Sequence, residues 1–189
     1  MLGAPDAFHV RMVRSALGDS LLYDELRRDP GAIRQAVFVV ILVSVIHGLV
    51  ASLATLYGDG EQTASTVFIS SLIFTGLGWT LSALFSYMIV SVIAGTSASG
   101  FLGGTFLQFI RSVGFTASPA LLMILVPLPV IGGAVVLAAT IWIATAMMIA
   151  TRESLSCSMP LAAVAVIVGT LIGRALALLT LVIVVAPAA

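Results

Sequence analysis

Residues 36–57 read AVFVVILVSVIHGLVASLATLY, a stretch without one carboxylate, lysine or arginine. A bilayer core is about 30 Å thick and gives the backbone no hydrogen bonds, so an apolar run of about 20 residues crosses it as a helix. Together with four later runs, the apolar sequence occupies roughly 33–57, 66–93, 107–126, 130–150 and 159–185 of the 189 residues. Only His47 and Arg174 lie well inside these runs as ionisable groups, and a titratable side chain at that depth is costly enough to suggest a use. The expected architecture is all-α and polytopic: a five-helix transmembrane domain over 31–189 behind a short amphipathic segment over 1–30.

Composition agrees with that reading. Hydrophobic residues make up 60% of the chain and charged residues 8%, and the mean hydropathy is +1.21. No soluble core needs so much apolar surface. Eight basic residues balance eight acidic ones, and the only basic cluster is interleaved with acids, which argues against a nucleic-acid partner. Every basic residue is Arg, which in an Ala-rich chain suggests a GC-rich bacterial genome, and the expected location is the inner (cytoplasmic) cell membrane. The single Cys157 can form neither an internal disulfide nor a cysteine-based metal site. The first apolar run begins behind a charged segment much longer than the n-region of a signal peptide, so it is read as an uncleaved span.

The N-terminal 30 residues carry Arg11, Arg14, Arg27, Arg28 and five of the eight acids. Val10, Val13 and Leu17 recur at helical spacing, as do Leu22 and Leu26, predicting two short amphipathic helices near the headgroups, broken at Gly18 and at Asp29-Pro30. Five arginines precede the first span, Arg111 follows the second and Arg152 the fourth, whereas Gly58-Asp59-Gly60-Glu61 and Pro127-Leu128-Pro129 have none. That alternation places the N-terminus in the cytoplasm and the C-terminus outside. Pro119, Pro127 and Pro129 interrupt the third span, and the Gly- and Ser-rich stretch 95–105 is expected to run along the cytoplasmic interface before the chain re-enters.

The stretch Arg111-Ser112-Val113-Gly114-Phe115-Thr116-Ala117-Ser118-Pro119, followed by an apolar run, Pro127-Leu128-Pro129 and then Trp142, resembles the Yip (Ypt-interacting protein) domain family. The beginning of the chain is similar as well: Leu22-Tyr23-Asp24-Glu25-Leu26 and Asp29-Pro30 lead into the first span. The resemblance covers nearly the whole chain and rests on Arg111, Gly114 and Pro119. It implies a five-helix integral membrane protein with a cytoplasmic N-terminus and no known catalytic residues. Eukaryotic relatives bind Rab-type GTPases in vesicle transport, and bacterial members are mostly of unassigned function. Their long eukaryotic cytoplasmic tail is short here, which weighs against GTPase binding.

Catalytic constellations find little support in the residues. Ser97-Ala98-Ser99-Gly100 is similar to the serine motif of rhomboid intramembrane proteases, but such an enzyme needs a base on a later helix, and His9 and His47 both come earlier. Two distant histidines, one cysteine and no carboxylate within a span cannot supply a zinc or di-iron ligand set. The chain therefore reads as a non-enzyme with no cofactor. Helix contacts have clearer signatures: Gly169 and Gly173 form a small-xxx-small pair on the fifth span, Ser44, Gly48 and Ser52 a similar stripe on the first, and Thr75, Trp79, Ser82 and Ser86 a polar face on the second. By depth, at about 1.5 Å per residue, His47, Trp79 and Arg174 share a level about 21 Å from the cytoplasmic helix ends, with Trp142 at about 12 Å. These four are the candidate buried polar contacts. Arg174 is expected either to snorkel outward to the external headgroups or to point into the bundle, over an indole face and near Thr170, or at a partner.

Three functional classes follow. The leading one is a non-enzymatic Yip-like protein that organises the membrane or binds a protein partner or a second copy of itself, with the lipid bilayer as its medium. A second is an accessory subunit of a respiratory or photosynthetic complex, with Arg174 on a partner carboxylate or lipid phosphate and His47 beside a cofactor. The third, a small transporter, would need the 75–86 face to line a path and shows no inverted repeat. Stable co-purification in mild detergent distinguishes the second from the first.

Overall fold

The computed structural model describes residues 7–55, 63–94 and 104–185. Its elements are α1 (Phe8–Ala16), α2 (Ser20–Arg28), α3 (Ala32–Ala54), α4 (Ala64–Ile93), α5 (Gly104–Gly114) continued by a 3-10 helix (Phe115–Leu125), α6 (Gly132–Leu155) and α7 (Met159–Val185). Among the described residues there is no strand, and five helical segments are long and apolar enough to cross a membrane. This is a multi-pass α-helical membrane protein. The loop over 56–62, most of the 95–105 stretch, with Ser97-Ala98-Ser99-Gly100, and the last four residues lie outside the described residues.

The five spans close a ring. α4 lies most extensively along α7, α3 joins α4 to the 3-10 helix, and α6 packs against both the 3-10 helix and α7. The segment interrupted by prolines is the innermost: 61% of its span is buried, against 22–33% for the other four. It turns from α to 3-10 at Phe115 and stays 3-10 for 11 residues, far beyond the three or four usual for that helix. Pro119 lies inside this run and has no N–H to give an α-helical ladder. Gly114 contributes through its lack of a side chain. Its backbone is ordinary helix (φ −57°, ψ −36°), so conformational freedom is not its use. Instead, a Cβ added there would lie 2.5 Å from Ala36 Cβ, so glycine is what lets α3 and the third span touch.

The two N-terminal helices form where the pattern placed them, joined by Gly18 at φ 72°, with the Asp19 side chain accepting from Leu21 N–H to start α2. Their inner faces share the bundle's core, since Leu22, Tyr23 and Leu26 are fully buried in it. The orientation of α1 is less obvious. Val10, Val13 and Leu17 face outward, 36%, 58% and 75% exposed, while Arg11 and Ser15 are buried against the bundle. For a helix lying at a bilayer that arrangement is favourable, because the apolar edge meets acyl chains and the polar edge finds protein partners.

Candidate functional site

Residues 111–119 build a collar that fastens α1 and α2 to the third span. Arg111 donates from Nη1 to the Arg27 carbonyl at 3.2 Å, Ser112 Oγ donates to the Tyr23 carbonyl at 3.0 Å, and Ser118 Oγ donates to the Met12 carbonyl at 3.1 Å. From α6, Trp142 Nε1 donates to the Ala16 carbonyl. Arg27 and Ala16 lie in the last turns of their helices, where carbonyls lack an intrahelical partner, so two of these four bonds satisfy orphan acceptors. In this way the motif residues act as a clamp on the N-terminal hairpin.

Ion pairs and hydrogen bonds complete the collar. Arg11, 5% exposed, pairs with Asp29 at 2.8 Å and donates to Gln35 Oε1 at 3.0 Å. Arg14 meets Asp19 at 2.7 Å and holds Glu25 through both of its outer nitrogens, at 3.0 and 3.2 Å. Burial works against ionisation of Asp29 and Asp19. At Asp29 the Arg11 guanidinium, the Gly31 N–H and the field of Arg111 outweigh it, and at Asp19 Arg14 and the Leu21 and Leu22 amides do so, which leaves both carboxyls below the usual range. Burial, with a smaller push from Asp19, raises the Tyr23 phenol to about 12. The hydroxyl stays protonated and donates to the Ser15 carbonyl at 3.0 Å.

The second cluster lies among the spans. Arg174 does not meet an indole, as depth had suggested; its guanidinium stands over the Phe74 ring, 5.3 Å from the centroid, and its stem lies across Gly78. His47 is within electrostatic reach of Arg174. Its Nδ1 is buried without a partner of hydrogen-bond geometry, the Val43 carbonyl one turn earlier being too poorly placed to serve as one. Trp79 and Trp142 do not join them. Trp79 turns toward α3 and α5, whereas Trp142 lies 40% exposed on α6 and is used by α1. Equal depth gave a shared level but not a shared direction.

Small residues bring the helix backbones together at the seams. A Cβ on Gly169 would meet Ser86 Oγ at 2.5 Å and Ser86 N at 2.6 Å, and one on Gly173 would collide with the Ser82 backbone. The glycine pair of α7 therefore sits on the serine pair of α4, and those hydroxyls bond within their own helix, Ser82 to the Gly78 carbonyl and Ser86 to the Ser82 carbonyl. On the 75–86 face of α4, Ser82 and Ser86 are covered by α7, whereas Trp79 is not. On the other side, a Cβ on Gly48 would lie 2.9 Å from Phe68, and one on Gly76 3.3 Å from Ser44 Oγ.

One feature escapes sequence reasoning altogether. An apolar groove of about 440 Å³ opens between α3, α4 and α5, walled by Val37, Val40 and Ile41 on one side, Trp79 on the second and Phe106 and Ile110 on the third. Its lining combines residues of three separate helices, which no single run reveals. Among the described residues no group of three or more His, Cys, Asp or Glu is placed to hold a metal. Comparison of the chain with protein-family models, curated proteins and solved structures gives no match.

Proposed function

We propose that this is a non-enzymatic membrane protein of the Yip type that presents its N-terminal hairpin, on the cytoplasmic face of the inner membrane, to a protein partner. The observation that carries the reading is the clamp. Arg111, Ser112 and Ser118, all within the stretch that resembles the Yip motif, spend their hydrogen bonds on carbonyls of α1 and α2. A hairpin held this way offers a fixed surface, and presenting a surface pre-organised lowers the ordering cost of association. Its outer side carries Ser20, Leu21, Glu25 and Arg28, all exposed, a mixed apolar and charged set suited to a partner at a membrane surface. The orientation rests on the arginine alternation.

Photo-crosslinking residues at Ser20 and Glu25, introduced in native membranes, test this. Both are expected to capture the same protein, and Arg111→Ala with Ser112→Ala is expected to abolish the adduct by releasing the hairpin. Adducts with lipid alone at these positions, together with a protein adduct at Leu128 on the opposite end, would overturn the reading. An accessory-subunit role stays the competing reading because Arg174 has an aromatic ring but no carboxylate beside it among the described residues. A stoichiometric complex in mild detergent, with a partner acid at Arg174, would favour that alternative.

A further inference from the structure

The groove between α3, α4 and α5 lies in the part of the fold that faces hydrocarbon, and its walls are apolar. The two hydroxyls in its lining are turned away from it into their own helices, Ser44 Oγ to the Val40 carbonyl and Thr80 Oγ1 to the Gly76 carbonyl, each at 2.8 Å. Val37, Ile41 and Leu107 at its mouth are 47%, 54% and 48% exposed, so the opening is lateral. A volume of 440 Å³ falls within the range of about 300–1,000 Å³ typical of small-molecule sites. Along α3 the lining runs from Ala36 to Ser44, about 12 Å at 1.5 Å per residue. That is close to the depth of one leaflet, half of a core about 30 Å thick.

A charge marks one end of this groove. Arg34 is exposed in the first turn of α3, three residues before Val37 and seven before Ile41, hence on the same helix face as the groove mouth. Alone among the described arginines it has no carboxylate, carbonyl or ring partner: Arg11, Arg14, Arg27, Arg28 and Arg152 are in ion pairs, Arg111 bonds a carbonyl and Arg174 covers Phe74. Nor does helix stability account for it, since a cation in the first turn opposes the helix dipole. A free cation at headgroup level, above a leaflet-deep apolar groove, is complementary to one molecular shape.

We propose that the groove holds an acyl chain of an anionic phospholipid from the leaflet on the α1–α2 side, with the lipid phosphate on Arg34. The inference stands apart from the partner-binding reading, since it uses only the spans and Arg34. Trp79 forms part of the groove wall and serves as the reporter. The protein is reconstituted in phosphatidylcholine vesicles containing small fractions of chain-brominated phosphatidylglycerol or chain-brominated phosphatidylcholine. Bromine quenches an indole in contact, and the quenching absent from Trp79→Phe belongs to Trp79.

One arginine at the surface contributes a factor of about five in anionic-lipid binding, so Trp79 is expected to be half-quenched at about fivefold less brominated phosphatidylglycerol than phosphatidylcholine. Arg34→Gln, at an exposed position, should bring the two curves together. Arg28→Gln, which removes an exposed charge from the same end of the molecule, should leave them apart. A soluble phosphate carries no bromine, so quenching reports the lipid and not a free anion. Equal quenching by both lipids in the wild-type protein overturns the proposal, as does a preference that survives Arg34→Gln. A preference lost equally in Arg28→Gln also overturns it, because the cause would then be surface potential without a site.

Discussion

The collar and the α4–α7 seam hold the same molecule together by opposite means. In the collar, side chains cross between elements: Arg111, Ser112, Ser118 and Trp142 reach carbonyls of α1 and α2, and Arg11 reaches Asp29. At the seam the hydroxyls of Ser82 and Ser86 stay within α4, and cohesion comes from backbones brought close by Gly169 and Gly173. The difference follows from what each element offers. α1 and α2 carry charges and free helix-end carbonyls, so they can be fixed by specific charged and carbonyl contacts. Within hydrocarbon, lipid tails are as apolar as any side chain, and close packing supplies the attraction.

The largest expected effect breaks the seam. In Gly169→Val the new Cβ meets Ser86 N at 2.6 Å, and backbone cannot move aside as a flexible side chain can. Overpacking of this kind should cost about 3 kcal/mol, read as lost resistance to denaturing detergent in a mild-detergent background. Gly133→Val is the control, since nothing lies within 4 Å of a Cβ there. Equal tolerance of both substitutions would show that the glycines are not what brings α4 and α7 together.

In the collar, Arg11→Met removes the buried partner of Asp29. Asp29 is a third exposed, so water recovers part of the loss, and the cost should be about 2 kcal/mol rather than the 3–5 kcal/mol of a fully buried pair. Amide exchange should rise across α1 and α2 while α4 and α7 stay protected. Exchange rising equally in all four would mean that hairpin and bundle unfold as one unit and that the two regions are not energetically separate.

These two regions also differ in how far they could be read in advance. The seam was legible because small-xxx-small spacing is a property of one helix at a time, and Gly169, Gly173, Ser82 and Ser86 needed only to be paired. The hairpin's period was legible too, but its direction was not. In water the face with Val10, Val13 and Leu17 would turn inward, whereas beside a bilayer either face can be the buried one. Depth counting put His47, Trp79 and Arg174 on one level but could not give their angle around each helix, which is why the ring beneath Arg174 belongs to Phe74. The groove is walled by three helices, and its dimensions appear only once they are assembled.

Acidity should separate the regions again. Asp19 and Asp29 have folded values below the ordinary carboxylate value of 3.8, so the stability they lend is complete above that value and is lost as the pH falls through the folded ones. At the alkaline end the sign reverses. Tyr23 is raised from 10.0 to about 12, so its contribution is intact below pH 10 and disappears as the pH rises through the folded value. The collar should therefore open below about pH 4 and again toward pH 12, followed by exchange corrected for intrinsic rates. The seam residues Gly169, Gly173, Ser82 and Ser86 carry no carboxylate, so the acid window leaves the seam intact. Simultaneous loss of protection in α4 and α7 would refute the separation.

The smallest effect is expected at Arg174, which belongs to neither region's scheme. Leucine there loses a cation–π contact worth about 0.5–2 kcal/mol, but it also removes the cost of keeping a guanidinium away from water. These terms oppose each other, so Arg174→Leu in the purified protein should change stability by less than about 1 kcal/mol. Gly78→Ala is a gentler version: its Cβ would come within 3.1 Å of Arg174 Cδ, the middle of a flexible chain that can shift. If a partner supplies the missing counter-charge, the result changes with context. Breaking such a pair costs about 3–5 kcal/mol, so Arg174→Leu would be silent in the purified protein and would lose assembly or abundance in native membranes. A loss of that size in the purified, monomeric protein would instead show that the ring contact with Phe74 is far stronger than an aromatic face can provide, and that Arg174 holds the bundle together alongside Gly169 and Gly173.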